Sequence, residues 1–276
     1  MNYRHAFHAG NFADLLKHAV LTDLLAALTA AKTPLTVIDT HAGAGLYDLG
    51  GEAALKTGEG AAISRLMSDP ASPAVFDALK AAVLKANRGP VRYYPGSPLI
   101  VAGFLRPRDQ LVACELRADD HGLLKNALPR ELGAEALKED GWAVVARRAP
   151  RAPAAVLALI DPPFERGDDY AMAAAATQQV LARNPAAVIA VWTPIKDLAT
   201  FDDFLGRMED AAGRCPILVA QARLRPLTDP MSLNGCAMVV ANPTPGLAHR
   251  AGAAAAWIAK NLGDAGALGR AEMIRG

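Results

Sequence analysis

Ile160-Asp161-Pro162-Pro163-Phe164 ends an apolar run, 154–160, that is bounded by prolines on both sides. Such a run predicts a fully buried parallel strand, whose end places Asp161 at the carboxyl edge of a sheet, where open α/β folds bind ligands. The two prolines fix the backbone and lack an amide donor. The loop therefore offers the Asp161 carboxylate and the Pro162 carbonyl as acceptors beside the flat ring of Phe164. This set suits a planar group with an exocyclic amine.

The loop resembles the Asp/Asn/Ser-Pro-Pro-Tyr/Phe/Trp signature of amino-group methyltransferases, which alkylate adenine N6, cytosine N4 or glutamine nitrogen. For so short a motif an ordinary strand-to-loop turn is the alternative explanation. The rest of the sequence has to decide between the two.

Length and composition limit the classes of protein. A chain of 276 residues with 52% hydrophobic and 21% charged residues is typical of a globular protein, either one large domain or one domain with an insertion. A net charge of +1 gives no global sign of a nucleic-acid partner, so such a partner would need a local basic face. We find no bilayer-spanning run and no signal-peptide core, and therefore expect a cytoplasmic protein without a membrane partner. Three widely spaced cysteines are expected to be free thiols rather than zinc ligands or disulfides, and no metal site is expected: Cys114, Cys215 and Cys236.

The chain before the first strand is predicted to form a helix from Phe12 to about Ala31, capped by Asn11. Each polar residue on that helix, taken alone, is explained by a solvated or half-buried position. The segment is nevertheless unusually dense in aromatic and cationic side chains. We expect four of them to line a pocket: Tyr3, His5, Lys17 and His18.

Strand 35–38 runs into the loop Asp39-Thr40-His41-Ala42-Gly43-Ala44-Gly45. A strand followed by a glycine-rich loop with an acid is the first nucleotide-site element of a Rossmann-like sheet, because glycines let the backbone approach a ligand closely. A dinucleotide site is not indicated, since Asp48 stands where G-x-G-x-x-G needs its third glycine. Asp-x-x-x-Gly-x-Gly instead resembles the first motif of S-adenosylmethionine-dependent methyltransferases. A turn residue that bonds its own loop is the alternative for His41.

Residues 47–92 contain glycine and proline breaks around two helical patterns. We predict a small inserted helical subdomain there, with the main domain formed by 1–46 and 93–276. Ser97 is then expected to cap a helix that starts at Pro98.

Two acids stand near the ends of further predicted strands. Glu115 ends strand 110–115, where an acid would bind ribose hydroxyls. Asp140-Gly141 precedes a third predicted strand, 142–146, and would lie near the adenine of a nucleotide, although an exposed turn explains the pair equally well. The predicted strands are 35–38, 110–115, 142–146, 154–160, 186–192, 215–224 and 235–242. With helices between them they indicate a single α/β domain.

Five blocks, in this order, are similar to the bacterial 23S ribosomal RNA adenine-N6 methyltransferase family over nearly the whole chain. They are Tyr3-Arg-His-Ala-Phe-His-Ala-Gly-Asn-Phe-Ala-Asp, Leu16-Lys-His, Asp39-Thr-His-Ala-Gly-Ala-Gly, Tyr94-Pro-Gly-Ser-Pro-Leu-Ile and Ile160-Asp-Pro-Pro-Phe. The resemblance implies a Rossmann-like, seven-stranded class I methyltransferase sheet. It also implies S-adenosylmethionine as the cofactor and one adenine of 23S rRNA as the substrate, modified before the ribosome is complete. We expect the protein to be a monomer.

The resemblance further assigns roles to residues. The binding positions it implies are His18, His41, Ser97, Glu115, Asp140 with Gly141, and Asp161, and it implies that Tyr3 touches the RNA. We expect Gly43 and Gly45 at the cofactor as well, His5, Lys17, Pro162 and Phe164 at the substrate, and Asp161 as the catalytic residue. Two departures stand out: Phe164 replaces the usual tyrosine of the signature, and the C-terminal third matches more loosely.

The chemistry follows from the acceptor loop. The adenine N6 lone pair is delocalised into the ring, and hydrogen bonds from the NH₂ to Asp161 and to the Pro162 carbonyl favour a more tetrahedral nitrogen. The base has to be single-stranded or flipped out, and it is expected to stack on Phe164.

Two alternatives stay open at this stage. One is DNA adenine or cytosine methylation by the same site, although about 45 inserted residues leave little room for a target-recognition domain. The other is a non-catalytic rRNA-binding assembly factor on a methyltransferase fold.

Overall fold

The computed structural model describes residues 8–52, 58, 60–129, 133–227 and 233–275. The strands are β1 (Leu35–Asp39), β2 (Leu46–Asp48), β3 (Tyr93–Pro95), β4 (Gln110–Cys114), β5 (Ala134–Leu137), β6 (Ala155–Ile160), β7 (Val188–Ile195), β8 (Ile217–Arg223), β9 (Gly235–Ala241) and β10 (Leu268–Arg275). The α-helices are α1 (Phe12–Ala30), α2 (Ala61–Ser68), α3 (Asp77–Ala86), α4 (Ser97–Ala102), α5 (Ala118–Ala127), α6 (Gly141–Arg148), α7 (Asp169–Arg183), α8 (Leu198–Ala212) and α9 (Leu247–Leu262).

The central sheet has eight strands in the order β10-β8-β9-β7-β6-β1-β4-β5. Strands β7, β6, β1, β4 and β5 run parallel, whereas β9 is antiparallel to both neighbours and β10 is antiparallel to β8. The carboxyl ends of β1, β4, β6 and β7 therefore meet at one edge, where an open α/β sheet binds ligands. The predicted Rossmann-like α/β fold is confirmed, with eight strands in the sheet instead of seven.

The additional strand is β10, at the edge of the sheet. Its residues alternate between exposed and half-buried over most of its length, and none of them is fully buried. A strand without an apolar run lacks the signal by which the buried strands were predicted. Strand β6, which has that signal, forms as predicted.

Residues 142–146 are helical, so the prediction of a third strand there is wrong. Helix α6 begins at Gly141, and Asp140 caps it by accepting a 3.0 Å hydrogen bond from the Trp142 amide. The adjacent residues Val144 and Val145 have a high strand propensity, but the buried positions of α6 follow the spacing of a helix. The true third strand is β5, whose sequence Ala-Glu-Ala-Leu has low strand propensity and gives little signal.

Helix α1 forms as predicted, with the Asn11 side-chain oxygen accepting hydrogen bonds of 2.9 and 3.0 Å from the amides of Ala13 and Asp14. Nearly all of its residues up to Leu25 are buried, because α1 lies between the sheet and the helices α2 and α3. Polar residues in the first half of α1 are therefore inside the protein and not on a solvated face.

The two faces of the sheet are covered by different helices. Helices α1 and α9 pack on one face, and α6, α7 and α8 pack on the other. In β6, Leu159 belongs to the α1 layer and Ile160 to the α7–α8 layer. Because side chains alternate along a strand, Asp161 points to the α1 side of the sheet.

Strands β2 and β3 pair with each other in a separate two-stranded sheet, so the chain that leaves at Asp48 returns beside it at Tyr93. The Gly96 amide then donates a 2.8 Å hydrogen bond to the Gly45 carbonyl. This contact brings Ser97 back to the glycine-rich loop. The boundaries of an inserted subdomain at 47–92 stay a prediction.

Candidate active site

A cavity of about 360 Å³ opens at the carboxyl edge of the sheet, beside α1. Six residues expected near a cofactor line it, and so do two further residues expected at the substrate. The first group is His18, His41, Gly43, Ser97, Glu115 and Asp161, and the second is Lys17 and Pro162. Much of the lining of one cavity was therefore predictable from the sequence. Tyr3 and His5 lie outside the described residues.

The glycine-rich loop after β1 needs its glycines. Gly43 and Gly45 have φ angles of 63° and 82°, a region that other residues rarely adopt. A Cβ atom on Gly43 would also lie 2.2 Å from the Tyr47 hydroxyl, which accepts a 3.0 Å hydrogen bond from the Ala44 amide. The loop is thus folded tightly around Tyr47, and the Gly43 backbone borders the cavity.

Asp39, the last residue of β1, holds this loop in place by hydrogen bonds. It is fully buried and accepts hydrogen bonds of 2.6 Å from the Ser97 hydroxyl and 3.3 Å from the His41 amide. Burial raises the pKa of Asp39 to about 6, although the Ser97 hydroxyl opposes this. Ser97 was expected to cap α4, but the cap is Gly96, and the Ser97 hydroxyl binds Asp39 instead.

His41 is held as a neutral ring at the cavity wall. Desolvation lowers its pKa to about 4. Its Nδ1 lies 2.7 Å from the Thr40 hydroxyl, and its ring contacts the Trp142 ring edge-on at 5.0 Å. These contacts fix the ring between the loop after β1 and α6.

Glu115 connects the loops after β1 and β4. Its two carboxylate oxygens accept hydrogen bonds of 3.1 Å from the Gly43 amide and 2.7 Å from the Arg117 amide. Burial raises the pKa of Glu115, and these hydrogen bonds act in the opposite direction. A carboxylate fixed in this way can still accept hydrogen bonds from a diol in the cavity, because each oxygen has a second lone pair.

Asp140 and Gly141 stand behind the cavity wall and do not line it. A Cβ atom on Gly141 would lie 1.9 Å from the Thr40 carbonyl oxygen, so only glycine fits where α6 meets the loop after β1. Gly45 also lies outside the lining. These residues shape the site through the backbone.

Of the cationic residues that line the cavity, Lys17 is the buried one. Its Nζ lies 2.6 Å from Asp161 Oδ2 and 2.9 Å from Asp14 Oδ1, and the residue is only 5% exposed. Burial by itself lowers the pKa of Lys17, but the two carboxylates outweigh burial and hold that pKa well above its usual value. Asp14 Oδ2 also accepts a 2.8 Å hydrogen bond from the Gly10 amide. One ammonium group is thus held between two carboxylates.

His18 faces the insertion side of the same cavity. Its Nδ1 lies 2.7 Å from the Tyr94 hydroxyl, and the two rings stack at 5.5 Å. Both residues are fully buried, and burial raises the pKa of Tyr94. The pair connects α1 to β3, the strand that returns from the insertion.

The Phe164 side chain does not lie where the sequence predicted it. The residue is 3% exposed, and its ring packs against Tyr170, Trp192 and Phe204 at 4.6, 6.0 and 6.4 Å. It does not line the cavity. The reason lies in the backbone: Phe164 has a φ of 49°, which turns its ring toward α7 and α8, away from Asp161. The Lys196 ammonium donates a 3.2 Å hydrogen bond to the Phe164 carbonyl and holds this turn.

Three residues that were not predicted from the sequence also line the cavity: Asp14, Tyr47 and Trp192. Asp14 could have been found from its spacing, because it precedes Lys17 by three residues on a helix and can pair with it. Trp192 had no local signal, since it lies within an apolar strand.

Within the described residues, no cluster of three or more histidine, cysteine, aspartate or glutamate side chains could hold a metal ion. The described helices include none that could cross a membrane. The three cysteines are free thiols, of which Cys114 and Cys236 are buried and Cys215 is half-buried.

Comparison with known proteins gives consistent matches. A family model described as "RsmJ: Ribosomal RNA large subunit methyltransferase D, RlmJ" matches residues 32–273. Ribosomal RNA large subunit methyltransferase J of Escherichia coli is 34% identical over 268 residues, covering 96% of this chain and 95% of that protein. The protein of the same name from Haemophilus influenzae is 33% identical over 246 residues, covering 88% and 87%. The crystal structure of protein LPL1258 from Legionella pneumophila superposes with a TM-score of 0.88 at 28% identity, covering 96% of this chain and 98% of that one.

Proposed function

The chain belongs to the family described as ribosomal RNA large subunit methyltransferase D, RlmJ, and we propose that it methylates the N6 amino group of an adenine in 23S rRNA. Family membership makes it an S-adenosylmethionine-dependent rRNA methyltransferase. The adenine N6 target and the residue roles below are our proposal. The observation that carries it is the Asp161 carboxylate, which follows the end of β6 and lines the cavity together with residues from the loops after β1, β4 and β7.

One part of the cavity lies under the loops after β1 and β4 and fits the cofactor. At Gly43 the backbone itself borders the cavity, because a Cβ atom there would collide with Tyr47. The Glu115 carboxylate, which is fixed by the Gly43 amide, can accept hydrogen bonds from a ribose diol. His41 and Ser97 line the same part. The cofactor would supply an electrophilic methyl group on a positively charged sulfur. Gly45, Asp140 and Gly141 act behind this wall, through the backbone.

The other part lies between α1 and the loops after β6 and β7, and it fits a flat base. Lys17, Asp161 and Pro162 line it. Because β6 lies between β1 and β7 in the sheet, the base and the cofactor would approach Asp161 from opposite sides. This arrangement suits an in-line transfer, in which positioning supplies much of the rate.

Asp161 has the central role in the reaction that we propose. Its carboxylate accepts a hydrogen bond from the N6 amino group, directs the nitrogen lone pair toward the methyl group, and stabilises the positive charge that develops on nitrogen. The proline-fixed loop keeps the carboxylate in place.

Lys17 orients this carboxylate. Its 2.6 Å contact fixes Asp161 Oδ2, which leaves Oδ1 for the base. Asp14 holds Lys17 from the other side, so the three groups together carry one negative charge. That net charge favours a cationic transition state.

The oligomeric state, the location and the timing of the reaction also belong to the proposal. We propose a monomer that acts in the cytoplasm on rRNA before ribosome assembly is complete, since a base has to leave its helix to reach Asp161. Tyr3 and His5 remain predicted RNA contacts, and residues 47–92 a predicted inserted subdomain.

Methyl transfer from radiolabelled S-adenosylmethionine tests the function. We expect label in protein-free 23S rRNA, recovered as N6-methyladenosine after digestion, and none in duplex DNA. Label in DNA would favour the DNA methyltransferase alternative. Absence of label in both, with intact cofactor binding, would favour a non-catalytic assembly factor.

A further inference from the structure

Trp192 lies beside Asp161 on the neighbouring strand. Ile160 of β6 is paired with Val191 of β7, and each of these two residues is followed by the cavity residue of its strand. Adjacent strands are about 4.8 Å apart. The Trp192 ring is therefore within reach of a base whose amino group contacts Asp161.

Trp192 and Asp161 also share a face of the sheet. Val191 and Ile160 both pack in the α7–α8 layer, so the residues after them point to the opposite side, toward α1. Trp192 packs against the α1 layer accordingly, and Lys17 reaches the same side from α1.

Phe164 is placed differently. Its ring is buried on the side of α7 and α8, against Tyr170 and Phe204, and it touches Trp192 from behind. Trp192 is half-buried and borders the cavity, whereas Phe164 is nearly inaccessible. Of the aromatic residues that the structure describes in β6, in β7 and in the loops that follow these two strands, Trp192 is thus the one that borders the cavity.

The surroundings of Trp192 suit a flat apolar ligand. Pro162, Pro163 and Pro194 line the cavity with it, and so do the polar side chains of Asp161, Lys17 and Lys196. A site that combines flat apolar walls with one acceptor for an amino group is typical of recognition of a flipped nucleobase.

We propose that Trp192 is the stacking residue for the target purine, a role the sequence had assigned to Phe164. In this arrangement the base lies on the indole with its amino group at Asp161, and Phe164 supports the indole from the other side. The inference rests on the proposed function, because it takes the acceptor to be an adenine.

Tryptophan fluorescence tests the stacking directly. The chain has three tryptophans, and Trp142→Phe with Trp257→Phe leaves Trp192 as the only one. The probe is adenosine 5′-monophosphate, titrated in the presence of S-adenosylhomocysteine. We expect quenching of Trp192 that saturates, and no saturable quenching with ribose 5-phosphate, which lacks the base. No saturable quenching with adenosine 5′-monophosphate would overturn the proposal.

Substitution gives the second test. Base–aromatic stacking predicts a loss of roughly tenfold or more in affinity for adenosine 5′-monophosphate in Trp192→Ala, and a much smaller loss in Trp192→Phe. Affinity for S-adenosylhomocysteine, measured by calorimetry, should stay within about threefold in both, which also shows that the variants fold. Equal losses for both ligands would assign Trp192 a structural role and contradict the stacking. If Trp192→Ala does not fold, the comparison of Trp192→Leu with Phe164→Leu decides: a larger loss of nucleotide affinity in Phe164→Leu would overturn the proposal.

The two levels of inference can fail separately. If wild-type protein forms N6-methyladenosine in rRNA but Trp192 shows no response to the nucleotide, only the stacking role is wrong. If Trp192 responds to the nucleotide but no N6-methyladenosine forms, the proposed reaction is wrong.

Discussion

Lys17 Nζ donates a 2.6 Å hydrogen bond to Asp161 Oδ2, although the two residues are 144 positions apart in the chain. The contact joins the first helix to the end of the central strand and leaves Lys17 almost inaccessible to solvent. Breaking one side of a buried ion pair is costly, because the remaining charge is left uncompensated. This pair therefore connects folding of the N-terminal helix with the geometry of the acceptor loop.

Replacing Asp161 should remove most of the chemistry. We expect Asp161→Ala to slow single-turnover methylation of an rRNA fragment by two to three orders of magnitude, or about 3–4 kcal/mol, because a charge-assisted partner of the transition state is lost. Affinity for S-adenosylhomocysteine should change much less, since the carboxylate faces the base. Asp161→Asn keeps the shape and a carbonyl acceptor and should fall between the two enzymes. An alanine variant within tenfold of the wild type would contradict the role of this loop.

Asp14 should affect the reaction rate through its contact with Lys17. Asp14→Asn keeps the acceptor for the Gly10 amide but removes the negative charge beside Lys17. The ammonium is then shared by one carboxylate only, so the negative charge available to the reacting nitrogen falls. We expect a lower kcat with KM for rRNA nearly unchanged. Lys17→Met, which removes the ion-pair partner of Asp161, should lower kcat more than Asp14→Asn does. If Asp14→Asn lowers protein stability as much as it lowers kcat, the role of Asp14 is purely structural.

Local patterns predicted most of the elements. The cap at Asn11, the helix after it and the strand before Asp161 each depend on residues that are neighbours in sequence, and all three form as predicted. The error at 142–146 arose because two adjacent valines favour a strand locally, whereas the Asp140 cap and contacts with the sheet favour a helix. Strand β10 was missed because an exposed edge strand needs no apolar run.

The residues of the site were predictable from the sequence only where a glycine or an acid stands next to the end of a predicted strand. Gly43, Glu115 and Asp161 stand next to strand ends, so the fold class places them at one edge. The contact of Lys17 with Asp161 depends on how α1 crosses the sheet, which no local pattern contains. The direction of the Phe164 ring depends on one backbone angle, and the motif leaves that angle open.

Glu115 should contribute to cofactor affinity. Glu115→Ala leaves the Gly43 and Arg117 amides without their carboxylate and removes an acceptor for the ribose. The expected loss in S-adenosylmethionine affinity is about 1–3 kcal/mol, the usual cost of leaving buried polar groups unpaired. Calorimetry on the folded variant measures it, and Glu115→Gln, which keeps one acceptor oxygen, should lose less. Unchanged affinity in the alanine variant would rule out this position for the ribose.

Asp39 should make stability depend on pH. Its pKa in the folded protein is about 6, compared with an ordinary value of 3.8, so the folded state binds the proton more tightly than the unfolded chain. The stability gained in this way is fully present below the unfolded pKa and is lost as the pH rises through about 6. The free energy of unfolding of Asp39→Asn minus that of the wild type should therefore increase from pH 5 to pH 7.5, by on the order of 1 kcal/mol. Urea denaturation at both pH values measures this difference, from which the contribution of His41 largely cancels. A difference that does not change with pH would contradict the high pKa.

Replacing Gly141 by alanine should show whether the close approach of α6 to Thr40 outweighs the higher helix propensity of alanine. In a helix, alanine is normally favoured over glycine by about 1 kcal/mol. At Gly141 the added Cβ would lie 1.9 Å from the Thr40 carbonyl oxygen, so α6 or the loop after β1 has to move. We expect Gly141→Ala to destabilise the protein and to weaken S-adenosylhomocysteine binding, because that loop carries His41 and Gly43. The matched control is Gly206→Ala in α8, where a Cβ meets nothing within 4 Å and stability should rise slightly. Thermal unfolding and calorimetry on both variants test the pair, and a Gly141→Ala protein as stable as Gly206→Ala would show that the contact between α6 and Thr40 is not tight.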